Sequence, residues 1–563
     1  MLRKSFSQTT LGYGLLVAFL LLGFLLRFVY LTEIPPGFNW DEASVGYNAY
    51  CLSKTGKDEF GKPWPIIMEA FGEHKIGLYS IFIVPLIRLF GLSIFTVRFP
   101  NVLFGCLIIL ASFYLALQIF KKTLPASLVA GLVAISPWAI HTSRFTLEWY
   151  FGIPLMIFGF AFLLKSSQKN SFLLLSALLL AISLYSYHSL RLFIPFLLLG
   201  YAIIYRKQLL KKKQLVLLGF ALGLVLLLPL FISMQSTKFL ARPKAVAIFT
   251  NENLQNQLME GMYRHTVARL PFVRLFNNKV VFYGKEFLDR YLAHFSPQFL
   301  FSGEDVTPRI GVERVGKLYF ISLPFLLLGF TQLLKKNTPL NLFLLLWFFL
   351  APISSSLTID TPHALRSFIL TPVLQIITVK GMIVVFRYLY RQKPYFLIPV
   401  IAITTLAYLL GLGYFCWRYF LFYRLDSTMS WQAGHKEMVQ KLNQYQERFE
   451  TIVVTTHYGQ PHIFIAFFTP IDPWFYQQEV AKDNQQGIFN ARIPYLGKIQ
   501  FRQISSEDFC LPNTLIIAEK EKAANLVPLD VITVDNPFHE SEIVFEMFDT
   551  NEVAVQEKFC QKD

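Results

Sequence analysis

Cysteine is scarce in this sequence, and its spacing limits what the residue can do. The five cysteines are Cys51, Cys106, Cys416, Cys510 and Cys560, and none lies in a CxxC pair or another metal-ligand spacing. This argues against structural zinc. Cys510 and Cys560 fall in the same C-terminal stretch, so they can pair if that stretch faces an oxidising compartment. The sequence leaves that pairing open.

Acidic residues are missing from the short gaps between the apolar runs, and their absence decides how the net charge of +16 is interpreted. These gaps hold 16 basic residues and no acidic ones, so the remaining chain carries 36 of each and is neutral. The basic residues are Arg3, Lys4, Lys121, Lys122, Lys165, Lys169, Arg206, Lys207, Lys211, Lys212, Lys213, Lys335, Lys336, Arg387, Arg391 and Lys393. The distribution is the positive-inside pattern, which assigns the gaps to the cytoplasm. No nucleic-acid partner is expected.

Apolar residues, in contrast, are abundant. They make up 54% of the chain, with 57 phenylalanines, which is too much apolar surface for one soluble core. Membrane-length runs recur from Leu11 to about Met234 and from Leu318 to about Tyr414, so we predict an α-helical polytopic membrane protein. Eleven transmembrane helices are predicted at about 11–31, 97–120, 124–140, 149–165, 171–187, 190–205, 215–234, 318–334, 339–356, 367–386 and 395–415. The first run lacks a small-residue cleavage site and is predicted to be a retained helix.

A further apolar run, Ile76 to Gly91, is short and contains Pro85 and Arg88. We predict that it lies in the interface as an amphipathic helix within the first external loop, residues 32–96. The alternative is a twelfth span, which would put the later polar motifs on the other side of the membrane from Asp41. With eleven spans the C-terminus lies outside, in a multi-pass protein expected in the plasma membrane.

The composition predicts two domains. Residues 1–423 form a transmembrane domain with a large external loop at 235–317, and residues 424–563 form a small soluble α/β domain outside the cytoplasm. In the second domain a helix is predicted at 431–449, and strands at 450–458, 513–520, 529–535 and 542–548. It contains no glycine-rich phosphate loop, no GxSxG and no HExxH, so catalysis by this domain alone is not supported.

Under this topology, four external segments bring polar residues to the same membrane face. FNWDEASVGYNAY places Asp41 and Glu42 just beyond the first helix, and an ionisable pair near a bilayer usually marks a substrate, an ion or a proton. The other candidates are Glu73, His74 and Lys75 in the first external loop, Arg144 and Glu148 in the second, Tyr187, His188 and Arg191 in the third, and His363 and Arg366 at a further external turn.

Each cluster also has a structural interpretation. Asp41 and Glu42 can belong to a hydrated loop, and a second acidic pair, Asp58 and Glu59, is predicted to be a solvated turn. Arg144 and Glu148 have the spacing of an i to i+4 ion pair at a helix end. Interfacial anchoring is the alternative for Lys75, Tyr187, Arg191 and Arg366.

One reaction uses all these residue types: transfer of a sugar from a polyprenyl-phosphate carrier to a nucleophile at the external surface. As the anomeric bond breaks, carboxylates stabilise positive charge on the sugar while arginine and histidine stabilise negative charge on the departing phosphate. Asp41 would act as general base, contributing about 10²- to 10⁴-fold, with Glu42 and Glu148 as further catalytic carboxylates. The candidate cations, with Tyr187, would bind substrate. A lone base favours one inverting displacement.

The chain resembles the membrane-embedded C-type glycosyltransferases, specifically the dolichyl-phosphate-mannose protein mannosyltransferases and bacterial aminoarabinose transferases. The matching motifs are WDE at 40–42, EHK at 73–75, SRFTLE at 143–148, YHSLR at 187–191 and PHALRS at 362–367. The resemblance covers most of residues 1–423 and implies a C-type glycosyltransferase fold. It implies that Asp41 is the catalytic acid and that Arg191 and Arg366 bind the donor phosphate.

The resemblance leaves metal dependence open. Oligosaccharide-transferring relatives usually carry a closely spaced acidic pair in the second loop, whereas only Glu148 is present here. Some relatives use a divalent ion near the first-loop acids, and Glu73 and His74 are candidate ligands for one. No cofactor is otherwise expected.

The expected partners are a polyprenyl-phosphate sugar donor, membrane lipid, and an acceptor that is a protein, a lipid or a glycan. A transporter or lipid flippase is the alternative function, but it predicts charges at the bilayer midplane and two repeated halves, whereas the charges here lie near span ends. A non-catalytic scaffold would leave Asp41 and the cations unexplained. The sequence names neither the sugar nor the acceptor.

Overall fold

The computed structural model describes residues 2–234, 245–267, 275, 277–303, 305–482, 493–520, 522, 526–535 and 541–560. Contacts divide the chain into two units. Unit 1 comprises Met1–Val29 and Asn101–Tyr419, and unit 2 comprises Tyr30–Pro100 and Phe420–Asp563. The helix Ile94–Phe120 begins in unit 2 and continues in unit 1.

Unit 1 is helical. Besides the end of Ile94–Phe120, its helices are Leu2–Phe28, Thr123–Ala134, Pro137–Thr142, Gly152–Lys165, Ser171–Ser183, His188–Ile204, Arg206–Leu210, Lys213–Met234, Glu252–Val267, Lys279–Ala293, Ser322–Lys335, Pro339–Leu350, Ile353–Ser356, Ala364–Ser367, Leu370–Gln392 and Leu397–Trp417, with a π-helix at Gln298–Ser302 and a 3-10 turn at Pro394–Phe396. A helix occurs at each of the eleven segments predicted to cross the membrane. Part of the predicted external loop 235–317 lies outside the described residues.

Six helical segments of the described chain are long and apolar enough to cross a membrane. They are Thr9–Phe28, Ile94–Phe120, Lys213–Ser233, Pro339–Ser356, Leu370–Gln392 and Pro394–Asp426. Shorter apolar helices of 10–17 residues lie at Thr123–Ala134, Gly152–Lys165, Ser171–Ser183, His188–Ile204 and Ser322–Lys335. The chain is a multi-pass membrane protein, as predicted, and the count of eleven spans stays a prediction.

Two glycines allow the closest helix packing in unit 1. A Cβ added at Gly329 would lie 1.9 Å from the Ile377 carbonyl oxygen, and one added at Gly381 would lie 1.9 Å from the Phe325 carbonyl oxygen. The helices Ser322–Lys335 and Leu370–Gln392 therefore touch backbone to backbone. Small residues serve this purpose in membranes, where close van der Waals packing replaces the hydrophobic effect as the force between helices.

Unit 2 combines the first external loop with the C-terminal residues. Its helices are Trp40–Thr55, Leu78–Phe90, Tyr423–Asp426, His435–Tyr445, Pro461–Phe468, Pro473–Lys482 and Val553–Phe559, with short helices at Met429–Trp431, Gln446–Arg448 and Ser506–Cys510. Its strands are β1 Ile67–Ala70, β2 Glu73–Ile76, β3 Thr451–Thr455, β4 Tyr495–Leu496, β5 Ile499–Arg502, β6 Thr514–Glu519, β7 Asp530–Val534 and β8 Glu542–Asp549. The predicted interfacial segment is the helix Leu78–Phe90, which carries Pro85 within it.

The larger sheet of unit 2 runs in the order β4-β5-β3-β6-β8-β7. β3 pairs in parallel with β5 and β6, and the remaining pairs are antiparallel. β3 and β6 are nearly continuous apolar runs because both of their faces are buried. Cys510 and Cys560 form a disulfide in this unit.

Two features of unit 2 differ from the sequence interpretation. The first external loop, predicted as part of the transmembrane domain, has its contacts with the C-terminal residues; the division into domains 1–423 and 424–563 stays a prediction. Asp58 and Glu59, predicted to be a solvated turn, are 0% and 2% exposed. Glu59 accepts hydrogen bonds from Asn48 Nδ2 (2.8 Å) and Ser44 Oγ (3.3 Å), which repay part of its desolvation.

Candidate active site

The N-terminus of the helix Trp40–Thr55 positions the first candidate acid. Asn39 is the N-cap, and its side-chain oxygen accepts a hydrogen bond from the Asp41 backbone N–H at 3.1 Å. Asp41 lies in the first turn, where the helix dipole favours a negative charge. Its side chain is 37% exposed, so the carboxylate is accessible to a substrate.

Glu42 has a different environment from its neighbour. It is 1% exposed, and its two oxygens accept hydrogen bonds from Arg98 Nε (3.0 Å) and Arg98 Nη2 (2.8 Å). Glu42 also completes a capping box by accepting from the Asn39 backbone N–H. A catalytic carboxylate must touch its substrate, whereas this one is enclosed by protein. The geometry therefore corrects the expected catalytic role of Glu42 to a positioning role.

Arg98 anchors the loop that precedes the helix. Its guanidinium donates to the carbonyl oxygens of Leu31 (3.2 Å), Pro35 (3.0 Å) and Gly37 as well as to Glu42. A Cβ at Gly37 would lie 2.1 Å from the Trp431 carbonyl oxygen, so only glycine fits there. One buried cation thus fixes the chain from the end of the first apolar run to Asp41.

Lys75 forms a salt bridge with Asp41 through the Asp41 Oδ1 atom. Lys75 lies on β2, which pairs with β1 as a hairpin, opposite Met68. The Lys75 side chain is 20% exposed and its ammonium group lies 5.7 Å from the centre of the Phe71 ring. The hairpin therefore brings a cation next to the exposed acid, from a motif 34 residues along the chain.

The metal-ligand candidates do not form a recognisable metal site. His74 lies on β2 opposite Glu69 and is half-buried; Glu73 is on the same strand, and its side chain is outside the described part of the structure. The side chains that the structure describes contain no group of three or more His, Cys, Asp and Glu able to hold an ion. We therefore derive no step that depends on a metal.

Arg144 has a structural environment rather than the expected phosphate-binding one. It is 0% exposed and donates to the carbonyl oxygens of Leu26 (2.9 Å) and Val29 (2.6 Å). Those carbonyls belong to the C-terminal end of the helix Leu2–Phe28, where backbone oxygens lack partners within the helix. The helix Pro137–Thr142 ends before Arg144, so the expected helical ion pair with half-buried Glu148 has no helix to support it.

The third external segment brings its candidates together at the start of the helix His188–Ile204. Tyr187 is the N-cap residue, and its ring stacks on Trp149 at 5.2 Å between centroids. Arg191 Nη1 lies 3.1 Å from His188 Nδ1, and Arg191 Nε donates to the Leu184 carbonyl oxygen at 3.0 Å. The predicted one-turn pairing of histidine and arginine is thus present.

The turn before the helix Ala364–Ser367 gathers several cations. Arg366 is 7% exposed, donates to Thr358 Oγ1 at 2.7 Å, and lies 3.9 Å from the Asp360 carboxylate. His363 lies outside the helix, and burial and then the charges of Arg366, Arg309 and His294 lower its pKa well below the usual value. Its Nδ1 atom is buried and has no hydrogen-bond partner in the described structure. This is an electropositive environment suited to an anion.

The sequence interpretation missed Arg98 and Arg309. Arg98 lies inside the apolar helix Ile94–Phe120, and a fully apolar environment around one arginine is a signal of a buried partner. Arg309 lies in a non-helical segment, and its carbonyl oxygen is 2.9 Å from His141 Nε2. Nothing in the local sequence distinguishes Arg309 from a solvated arginine.

Comparison with known proteins agrees with the fold. Residues 78–232 match the family model described as dolichyl-phosphate-mannose-protein mannosyltransferase. No curated protein sequence matches the chain.

Two solved structures share the architecture. ArnT from Cupriavidus metallidurans bound to undecaprenyl phosphate is similar with a TM-score of 0.53 and 13% identity, over 96% of this chain and 99% of that one. The oligosaccharyltransferase AglB from Archaeoglobus fulgidus, in complex with an inhibitory peptide and a dolichol-phosphate, is similar with a TM-score of 0.51 and 14% identity, over 81% of this chain. The chain spans 63% of the length of AglB. At these identities the likeness shows a shared fold. With the family match, it identifies the chain as a member of the membrane-embedded C-type glycosyltransferases related to dolichyl-phosphate-mannose protein mannosyltransferases and to ArnT.

Proposed function

We propose that the chain transfers a sugar from a polyprenyl-phosphate carrier to an acceptor, with Asp41 as the general base of a single inverting displacement. The observation that carries the proposal is the accessible Asp41 carboxylate, held at a capped helix N-terminus and paired with Lys75. The fold supports the same class, because the similar ArnT and AglB structures hold undecaprenyl phosphate and dolichol-phosphate respectively.

Asp41 and Lys75 have complementary roles in this reaction. The carboxylate of Asp41 accepts the proton of the acceptor nucleophile as that nucleophile attacks the anomeric carbon. The ammonium group of Lys75 attracts the donor phosphate, on which negative charge grows as the anomeric bond breaks. Glu42 and Arg98 take no part in the chemistry but hold the turn that carries Asp41.

In unit 1 we propose two groups of donor-phosphate ligands: the pair His188 and Arg191, and the cluster of His363, Arg366, Arg309 and His294. The helix His188–Ile204, which carries the first pair, packs against the helix Ile353–Ser356. Ser355 of that second helix lies 2.8 Å from His294 Nε2. Packed elements thus connect the two groups. Buried guanidinium and imidazole donors interact strongly with a phosphate because little water screens them.

The proposed reaction takes place on the extracytoplasmic side of the plasma membrane. The basic residues of the short gaps support this orientation. The disulfide between Cys510 and Cys560 supports it independently, since disulfides persist in oxidising compartments. The acceptor is a protein, a lipid or a glycan.

The proposal is tested with full-length protein in liposomes supplied with radiolabelled undecaprenyl-phosphate sugars, one sugar at a time, and a membrane extract as acceptor. Asp41→Asn is expected to lower release of undecaprenyl phosphate by about 10²- to 10⁴-fold. Glu260→Gln, at an exposed glutamate of unit 1, is the matched control and should retain full turnover. Unchanged turnover in Asp41→Asn refutes the mechanism, and movement of the labelled lipid without transfer would favour a transporter or flippase.

A further inference from the structure

Gln432, in the C-terminal part of unit 2, contacts the start of the helix that carries Asp41. Its side-chain oxygen accepts hydrogen bonds from Asn39 Nδ2 at 2.9 Å and from the Trp40 backbone N–H at 3.0 Å. The first backbone N–H groups of a helix have no partner within the helix. Gln432 therefore provides a second cap, in addition to that of Asn39 itself.

The Gln432 side chain is fixed at both ends. Its Nε2 atom donates to the Tyr458 carbonyl oxygen at 2.8 Å, which determines which end of the amide faces the helix. Its backbone is in the left-handed region, with φ 56°, and its carbonyl oxygen lies 2.9 Å from His435 Nδ1. A side chain held by its own backbone conformation and by both amide atoms has little freedom to move.

The surrounding packing leaves no room for an alternative arrangement. A Cβ added at Gly459 would lie 2.2 Å from the Trp40 ring and 2.8 Å from Gln432 Nε2. Gly459 also has a φ of 115°, which side chains rarely adopt. The loop of Gly459 thus lies directly on Trp40 and Gln432.

We propose that Gln432 is a positioning residue for Asp41, and that the C-terminal residues are therefore part of the catalytic unit. The connection runs through successive hydrogen bonds. Gln432 holds Asn39, Asn39 accepts from the Asp41 backbone N–H at 3.1 Å, and this fixes the turn from which the Asp41 carboxylate reaches Lys75. The significance of this positioning for catalysis rests on the proposed function; the positioning itself does not.

A reporter at position 41 tests the positioning without any substrate. In full-length protein with Cys51, Cys106 and Cys416 replaced by serine, Asp41→Cys introduces a thiol in place of the carboxylate. Its rate of reaction with a charged methanethiosulfonate reagent is measured against pH. A nearby ammonium group lowers a thiol pKa, so Lys75→Met is expected to move the profile to higher pH, and this variant calibrates the assay.

Gln432→Met keeps the side-chain volume and removes both acceptor bonds. It should move the profile at least halfway to that of Lys75→Met, a change of about tenfold in rate for each pKa unit. Gln460→Met is the matched control, because the Gln460 side-chain oxygen accepts no hydrogen bond in the described structure, and it should leave the profile unchanged. A profile that Gln432→Met leaves unchanged, with folding intact, overturns the proposal.

Turnover separates this proposal from the proposed function. With radiolabelled undecaprenyl-phosphate sugar as probe, Gln432→Met should lower kcat by at least tenfold with little change in the donor KM, since the phosphate ligands are untouched. If Asp41→Asn is fully active, the proposed function fails, whatever the thiol reporter shows. If Asp41→Asn is inactive but Gln432→Met has normal kcat and a normal thiol profile, only the positioning proposal fails.

Discussion

At the scale of single residues, the ion pair of Glu42 and Arg98 is the clearest case of a charge with a structural purpose. The two side chains are 2% and 0% exposed. Removing one partner of such a pair leaves the other charge buried without compensation, which costs about 3–5 kcal/mol. We therefore expect Arg98→Met to lower the free energy of unfolding by that amount, measured by chemical denaturation in detergent.

Lys62 and Glu69 provide the comparison for this measurement. They form an ion pair at 3.4 Å in the same unit, but the Lys62 side chain is 49% exposed. Exposed pairs contribute about 0–1 kcal/mol, so Lys62→Met should have a small effect. Equal losses for Arg98→Met and Lys62→Met would show that the Glu42 pair is not the anchor described above.

Glu59 should make stability depend on pH. Burial raises its pKa to about 8 from the usual 4.5, against the hydrogen bond from Asn48, which lowers it. Between these values the folded protein binds a proton that the unfolded chain has lost. The contribution of Glu59 to stability is therefore fully present below about pH 4.5 and is lost as the pH rises through 8.

Glu59→Gln isolates this effect, because an amide does not titrate. The difference in Tm between wild type and Glu59→Gln should become less favourable to wild type from pH 5 to pH 8.5, in thermal unfolding of the detergent-solubilised protein. Glu437→Gln, at an exposed glutamate, should show no such trend. A difference in Tm that is constant across this range would contradict the prediction.

At the scale of elements, Arg144 stabilises the end of the first helix. Its two guanidinium nitrogens satisfy the carbonyls of Leu26 and Val29. Lysine carries a point charge in place of the planar fork and does not reproduce both bonds, and an unsatisfied buried acceptor costs about 1–3 kcal/mol. We expect Arg144→Lys to lose stability by that amount with an unchanged donor KM. A raised donor KM with normal stability would instead support the phosphate-binding role first predicted.

The elements themselves were the easiest part to predict. An apolar run long enough for a membrane forms a helix whatever its neighbours, because lipid leaves backbone groups no other partner; hence each predicted segment contains a helix. The roles of charged residues were harder. The partner of Glu42 is 56 residues away, and those of Arg144 are more than 100 residues away. Local spacing carries no information about such contacts.

At the scale of the whole molecule, the first external loop has its contacts with the C-terminal residues. The sequence suggested an appended soluble domain, because composition changes after about residue 423. Composition does not report that Gln432 caps the helix of Asp41 or that the Gly37 backbone lies against Trp431. Truncation before residue 424 would accordingly remove partners of the Asp41 helix as well as a soluble domain.

The disulfide of unit 2 gives a test of which side of the membrane that unit faces. Cys510 and Cys560 are bonded, while Cys51, Cys106 and Cys416 are free thiols. Protein purified without reductant and then denatured should therefore react with three equivalents of a maleimide, and with five after reduction. Cys106→Ser should lower each number by one. Because cytosolic thiols are kept reduced, five reactive thiols before reduction would deny the disulfide and remove the independent support for an extracytoplasmic Asp41. Three would support that location, since the acid and the disulfide belong to the same unit.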